Sequence, residues 1–237
     1  MTRPLRSRGL ASAAATAYAR AAVARGRTPW RRAHYCVVDL ELSGLDSRSD
    51  EIISFGAVPI DAGRVVAGNA IYGLCRTSRP LPGESALVHG IRTVDLAHAP
   101  PVDEAIQPLI AVMTGRVLVT HVAWIERSFL APVLRLQGVR LRQPVLDTHE
   151  LGQLLALERG ERLPALSLSE LARSLGLPVH RPHNALGDAL TTAQVFIALA
   201  THLEEFVPET VRSLARARER ARTYSVYPAS LETDARR

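Results

Sequence analysis

The feature that most restricts this chain is a buried strand that ends in acid. Tyr35 to Val38 is an apolar run, and it leads straight into Asp39-Leu40-Glu41. Residues two apart on a strand share a face, so both carboxylates point the same way. Like charges on one buried face are costly unless something neutralises them. A hard divalent cation bound through oxygen does so. Taken alone, Asp-x-Glu also fits a strand end emerging into solvent, and only partners elsewhere in the chain decide between the two.

The chain has 237 residues, enough for one domain of ordinary size with extensions. Its hydrophobic content of 47% supports a true core, and an aromatic content of 5% implies one packed from Leu, Val, Ala and Ile. The formal charge of +6 fits a polyanionic partner. All 29 basic residues are arginine. Arginine suits phosphate binding, but a GC-rich genome gives the same bias. Cys36 and Cys75 are too few for a disulfide scaffold and read as small core residues, which fits a reducing cytoplasm. No stretch reaches the ~18 apolar residues of a membrane span. A soluble cytoplasmic protein without a membrane partner is expected.

Residues 1–33 carry eight arginines, from Arg3 to Arg32, and no acid precedes Asp39. The Ala-rich stretch from Leu10 to Ala24 can form a helix. Arg20 interrupts a barely hydrophobic run, which argues against a secretory signal. An organellar transit peptide would look similar. The segment is read as a flexible basic extension with little apolar surface to bury.

The organised domain is expected over residues 34–206. Glu51 to Ile60 reads as a second strand with an end or bulge at Pro59. Asp61-Ala62-Gly63 forms a hairpin turn, and Arg64 to Cys75 returns as a third strand. Val102 to Thr114 is helical, with Pro108 kinking or splitting it. Arg116 to Thr120 is a strand and Val122 to Leu136 a helix. Pro144 to Leu146 is a strand leading through Asp147 into a helix from Thr148 to Leu157. Ser167 to Leu175 is a short helix closed by Gly176, and Asn184 caps a long helix to about Phe206. Strands followed by alternating helix and strand mean a mixed α/β sheet flanked by helices. Residues 207–237 are read as a solvated basic helix and a disordered tail.

Two stretches supply partners for Asp39 and Glu41: His121 to Leu130, directly after a strand, and His183 to Ala189. If Asn184 caps the last helix, Asp188 lies in its first turn while His183 precedes it, so both can face one site. A carboxylate cluster with one base is what two-metal hydrolysis of a phosphodiester needs.

These stretches resemble the motifs of DEDDh 3′–5′ exonucleases of the type found in the epsilon proofreading subunit of bacterial DNA polymerase III. The first motif appears as Val37-Val38-Asp39-Leu40-Glu41-Leu42-Ser43-Gly44-Leu45, the second spans His121 to Leu130, and the third His183 to Ala189. Ile52 to Val58, Val88-His89-Gly90-Ile91 and Pro144 to Thr148 are further landmarks in the same order. The resemblance implies a ribonuclease-H-like fold with a five-stranded mixed sheet. It also implies two Mg²⁺ or Mn²⁺ ions on Asp39, Glu41, Glu126 and Asp188, with His183 as general base. Leu42, Ser43 and Gly44 would line the pocket for the terminal nucleotide, with His89 near its entrance. Single-stranded DNA 3′ ends, or RNA ends as in oligoribonuclease and RNase T, would be the substrate. A DNA polymerase is the partner by analogy.

Two departures stand out. Where the family's second motif reads His-Asn-Ala with an aspartate three residues later, this chain has Val122 and Glu126. Glutamate keeps the charge and adds about one bond of reach, roughly 1.5 Å. If that change disables the site, a non-catalytic nucleic-acid-binding module is the third alternative. Trp124 is most simply a packing residue, with base stacking as the second reading.

Overall fold

The computed structural model describes residues 12–142, 144–161 and 167–226. In chain order the elements begin with α1 (Ala13–Arg20), β1 (Tyr35–Leu42), β2 (Ile52–Asp61), β3 (Arg64–Val65), β4 (Ile71–Leu74) and α2 (Gly83–His89). Then come α3 (Val102–Ala105), α4 (Gln107–Met113), β5 (Val117–Thr120), α5 (Ala123–Leu136), β6 (Val145–Asp147) and α6 (Thr148–Glu158). The chain continues through α7 (Leu168–Ser174), α8 (Ala185–Glu204), α9 (Val211–Ala215) and α10 (Ala217–Val226). The strands form one mixed sheet of six in the order β3-β2-β1-β5-β6, with β4 also paired to β2. β1 is antiparallel to β2 and parallel to β5, and β5 is parallel to β6.

The sheet has one strand more than expected because the expected third strand breaks at a short 3₁₀ turn, Ala67–Asn69, into β3 and β4. Pro59 does not end β2 either: it stays in register opposite Cys36. Its carbonyl accepts from Val66 on the β3 side. The missing N–H of Pro59 therefore falls at the gap between β3 and β4, where no ladder bond is lost. The hairpin turn is as expected, with Ala62 and Gly63 at φ of 50° and 69°, the left-handed pair a type I′ turn requires. Pro108 in the first turn of α4 splits the helix from α3 as expected.

Alternation along β1 sorts the core into two layers. Tyr35 and Val37 face α6, α7 and α8 with Val58, Ile60, Val119 and Phe196. Cys36, Val38 and Leu40 face α1, α4 and α5 with Phe55, Ile110 and Leu130. Burial pushes the thiols of Cys36 and Cys75 up to about 12, which leaves them inert. Asp39 and Glu41 continue the Tyr35–Val37 column, so the apolar layer under α8 ends in acid.

The two terminal segments pack differently from expectation. Within 1–33, Ala15, Tyr18, Trp30 and Ala33 are buried. Trp30 meets Phe196 edge-on with 6.1 Å between ring centroids. The Arg142 backbone N–H donates to the Tyr18 hydroxyl at 3.0 Å. Backbone bonds tie this segment to the C-terminal one: Trp30 donates to Glu209, Val211 to Thr28 and Arg212 to Gly26. Scattered aromatics in an arginine-rich stretch thus anchor the described part of the extension. The C-terminal helices are not simply solvated, since Val211, Leu214 and Ala217 are buried. Arg220 is paired to Glu209 at 2.6 Å and Glu158 at 3.3 Å. Expectations for residues 1–11 and for the tail beyond 226 lie outside the described residues. Among those described, no helix is long and apolar enough to cross a membrane.

Trp30→Ala should therefore lower the unfolding free energy by about 3–5 kcal/mol, as for other buried large aromatics. Urea denaturation checks this, and an unchanged midpoint would return the segment to a loose arm.

Candidate active site

Three elements bring the acids together. Asp39 lies opposite Gly56 of β2, and the start of α8 rests on that glycine. A Cβ on Gly56 would sit 2.2 Å from the Ala185 carbonyl oxygen and 2.4 Å from the Leu186 nitrogen. Gly187 plays the same part for the preceding loop, where a Cβ would lie 2.3 Å from the His180 carbonyl oxygen. The Asn184 side chain caps α8 by accepting from the Gly187 N–H at 3.1 Å. Asp188 in the first turn then reaches the strand, and one ligand oxygen each from Asp39, Glu41 and Asp188 lie within 4.8 Å of one another.

Glu126 joins this set from α5 without being part of the tight cluster. It is 4% exposed, and its Oε2 has no hydrogen-bond partner. Its charge is the strongest carboxylate influence on Asp39. Burial, then Glu126, Asp188 and Glu41, raises the Asp39 carboxyl well above its usual range. Burial and then Asp188 push Glu41 up to about 7. Burial also raises Glu126 well above and Asp188 above the usual range, the latter opposed by the His183 N–H. Four acids that resist ionising together, one with an orphaned buried oxygen, form an all-oxygen donor set that fits divalent cations such as Mg²⁺ or Mn²⁺.

The remaining residues singled out in the sequence fall around this centre. His183 is exposed on the loop before α8, at φ 58°, and its backbone N–H donates to Asp188 Oδ2 at 2.8 Å. His89 ends α2. Its Nδ1 accepts from the Ile91 N–H at 3.0 Å and its buried Nε2 has no partner. Burial and then the charge of His183 lower its pKa. Leu42 sits at a register shift after Glu41. The Ser43 hydroxyl is engaged in closing the β1–β2 loop, donating to Asp50 Oδ1 at 3.1 Å and accepting from the Glu51 N–H at 3.0 Å. A Cβ on Gly44 would lie 2.5 Å from Asp50 Oδ2, so a larger residue there would displace the carboxylate that closes the loop.

Asp147, read from sequence only as a landmark before a helix, positions α5. Its two oxygens accept the N–H groups of Val122 at 3.0 Å and Ala123 at 2.8 Å, and Oδ1 also caps α6 through the His149 N–H at 2.9 Å. One carboxylate thus anchors two helix N-termini, and with them Glu126. His121 beside it shares a hydrogen bond with the Thr148 hydroxyl at 2.9 Å. Burial holds its pKa down to about 4, so the ring is neutral. Val122 caps α5 in the left-handed region, φ 63° and ψ 60°, where a β-branched residue is strained. Asparagine tolerates that region. Val122→Asn should stabilise the chain by about 1 kcal/mol, read as a raised Tm; a lowered Tm would mean the isopropyl packing outweighs the strain.

The model of the family described as exonuclease (RNase T) matches residues 36–196. The chain belongs to this exonuclease family. An epsilon-like protein of DNA polymerase III from Rhodobacter capsulatus is 35% identical over 184 residues, covering 76% of this chain and 26% of that protein. The PolC-type DNA polymerase III of Thermotoga maritima is 32% identical over 166 residues, 70% of this chain and 12% of that one. The exonuclease domain thus spans about a quarter or less of these relatives. Exonuclease X, solved with 5′-overhanging duplex DNA, superposes with a TM-score of 0.59 at 21% identity, covering 76% of this chain and 99% of that one. The fold is ribonuclease-H-like, as the sequence motifs implied, with six strands.

Proposed function

We propose that this chain is a 3′–5′ exonuclease that releases nucleotides from single-stranded DNA ends by two-metal hydrolysis. The observation that carries this reading is the convergence of Asp39, Glu41 and Asp188 within 4.8 Å, with Glu126 on α5 whose buried Oε2 has no hydrogen-bond partner. Divalent cations held there would activate water and stabilise charge developing on the phosphate. Asp39 would serve both ions, Glu41 and Asp188 one, and Glu126 the other. His183, exposed on the loop before α8, would take the proton of the attacking water at a ring nitrogen. The loop closed by Ser43 and Gly44, with Leu42 and His89, would seat the terminal nucleotide. The name of the Rhodobacter relative supports a DNA polymerase partner.

Glu126 supplies the test. Mg²⁺ demands near-ideal octahedral geometry, while Mn²⁺ tolerates irregular oxygen sites better. The wild type should cleave a DNA oligonucleotide detectably with Mg²⁺ and clearly faster with Mn²⁺, and Glu126→Asp should narrow that gap by raising the Mg²⁺ rate. An RNA oligonucleotide run alongside separates the oligoribonuclease alternative. Lower activity of Glu126→Asp with both ions would show that α5 is adapted to glutamate. No cleavage by either form with either ion would leave a binding module.

A further inference from the structure

The outer face of α5 borders a surface groove of about 850 Å³, walled also by β6 and the C-terminal helices. Trp124, Arg127, Ala131 and Arg135 line it at helical spacings of three and four residues. They extend about 16 Å along the helix at its usual rise. Arg140 and Arg218 line it too. Arg218 is spoken for, 4.0 Å from Glu150. Among the described residues, Arg127, Arg135 and Arg140 make no ion pair; Arg135 donates only to the Ala131 carbonyl of its own helix. All three are exposed. Trp124 is 59% exposed, so it does not pack as the sequence suggested.

The lining also holds Asp147 and Glu150, the latter within reach of the Arg127 charge, but guanidinium groups outnumber these acids. An excess of arginine beside an open indole suits a ligand that carries both phosphates and aromatic faces. An acidic peptide would satisfy the charges and leave the indole without a partner. The ridge also starts at the right place: the first turn of α5 holds Trp124 on its outer side and Glu126 on its inner side. We propose that this groove is a second nucleic-acid site, holding the single strand on the 5′ side of the terminal nucleotide. Bases stack on Trp124, and the following phosphates lie along Arg127, Arg135 and Arg140. The polarity rests on the exonuclease reading above; the binding chemistry does not.

The test uses the full chain in EDTA, with fluorescein-labelled oligothymidine as a dodecamer and as a trimer, and reads anisotropy against salt. Replacing Arg127, Arg135 and Arg140 together by Gln should weaken dodecamer binding by at least ~10-fold and flatten the log–log salt slope by about 2, at roughly 0.7 per phosphate contact. Trimer binding should stay the same. The corresponding triple Lys variant should keep most of the salt slope, which separates charge from any folding defect. Trp124→Ala should weaken the dodecamer with the slope unchanged. The site is overturned if the Gln variant keeps the wild-type dodecamer affinity and slope. It is also overturned if the trimer suffers as much as the dodecamer, or if only binding of a polyglutamate peptide is lost. Hydrolysis is assayed separately with Mn²⁺. A wild type that binds through the groove yet cleaves nothing overturns the exonuclease reading and supports the groove.

Discussion

Asp39→Ala should reduce nuclease turnover by on the order of 10³-fold or more while leaving the chain folded. Several kcal/mol of transition-state charge stabilisation come from bound cations, and each 1.4 kcal/mol is a factor of ten in rate. Asp39 is the carboxylate most exposed to the charges of the others, with Glu126, Asp188 and Glu41 all acting on it. Removing it also relieves repulsion in a half-buried cluster, so the metal-free variant should melt no lower than the metal-free wild type. Added Mn²⁺ should raise the Tm of the wild type and hardly move that of the variant, because a ligand specific to the folded state stabilises by mass action. Near-normal turnover by folded Asp39→Ala would dismantle the site. Loss of both activity and fold would instead make Asp39 a structural residue.

Gly56→Ala tests the scaffold rather than the chemistry. The added methyl would meet the backbone of Ala185 and Leu186 at 2.2–2.4 Å. Backbone cannot swing aside as a side chain can, so the N-terminus of α8 must lift from β2. Overpacking of this kind costs about 1–3 kcal/mol. Asp188 travels with that helix turn, and a misplacement of about 1 Å at a catalytic centre can cost ~10²-fold in rate. The expected result is a lower Tm and a rate loss of that order with every carboxylate still present. Wild-type activity and Tm in Gly56→Ala would mean that α8 does not depend on close contact at β2.

How far the sequence could be followed depended on the range of each interaction. The carboxylate column of β1 was legible because strand alternation is local, and so were the Asn184 cap and the split at Pro108. The identities of the acids and the expectation that they meet came from the motifs; the packing that brings them together did not. It depends on Gly56 meeting α8, a contact between segments about 130 residues apart. Asp147 escaped for the same reason. The parallel register that pairs Thr120 with Asp147 sets it beside the start of α5, and nothing near Asp147 in sequence announces the second helix it caps. Trp30 was hidden by composition: a basic, alanine-rich segment gave no periodic apolar face, yet its indole is buried against Phe196. Trp124 misled in the opposite direction, since an aromatic within a buried motif proved to face solvent.

On the proposed function, the acids on β1, α5 and α8 hydrolyse nucleic acid from its 3′ end with the help of divalent cations. The most direct measurement follows a 5′-labelled single-stranded DNA oligonucleotide with Mn²⁺, once with a free 3′ hydroxyl and once with its 3′-terminal linkages replaced by nuclease-resistant ones. The expected result is a ladder that shortens one nucleotide at a time from the free 3′ end, nothing from the blocked strand, and nothing from either with EDTA or with Asp39→Ala. Equal cleavage of the free and blocked strands, or cleavage that persists in EDTA, would contradict it.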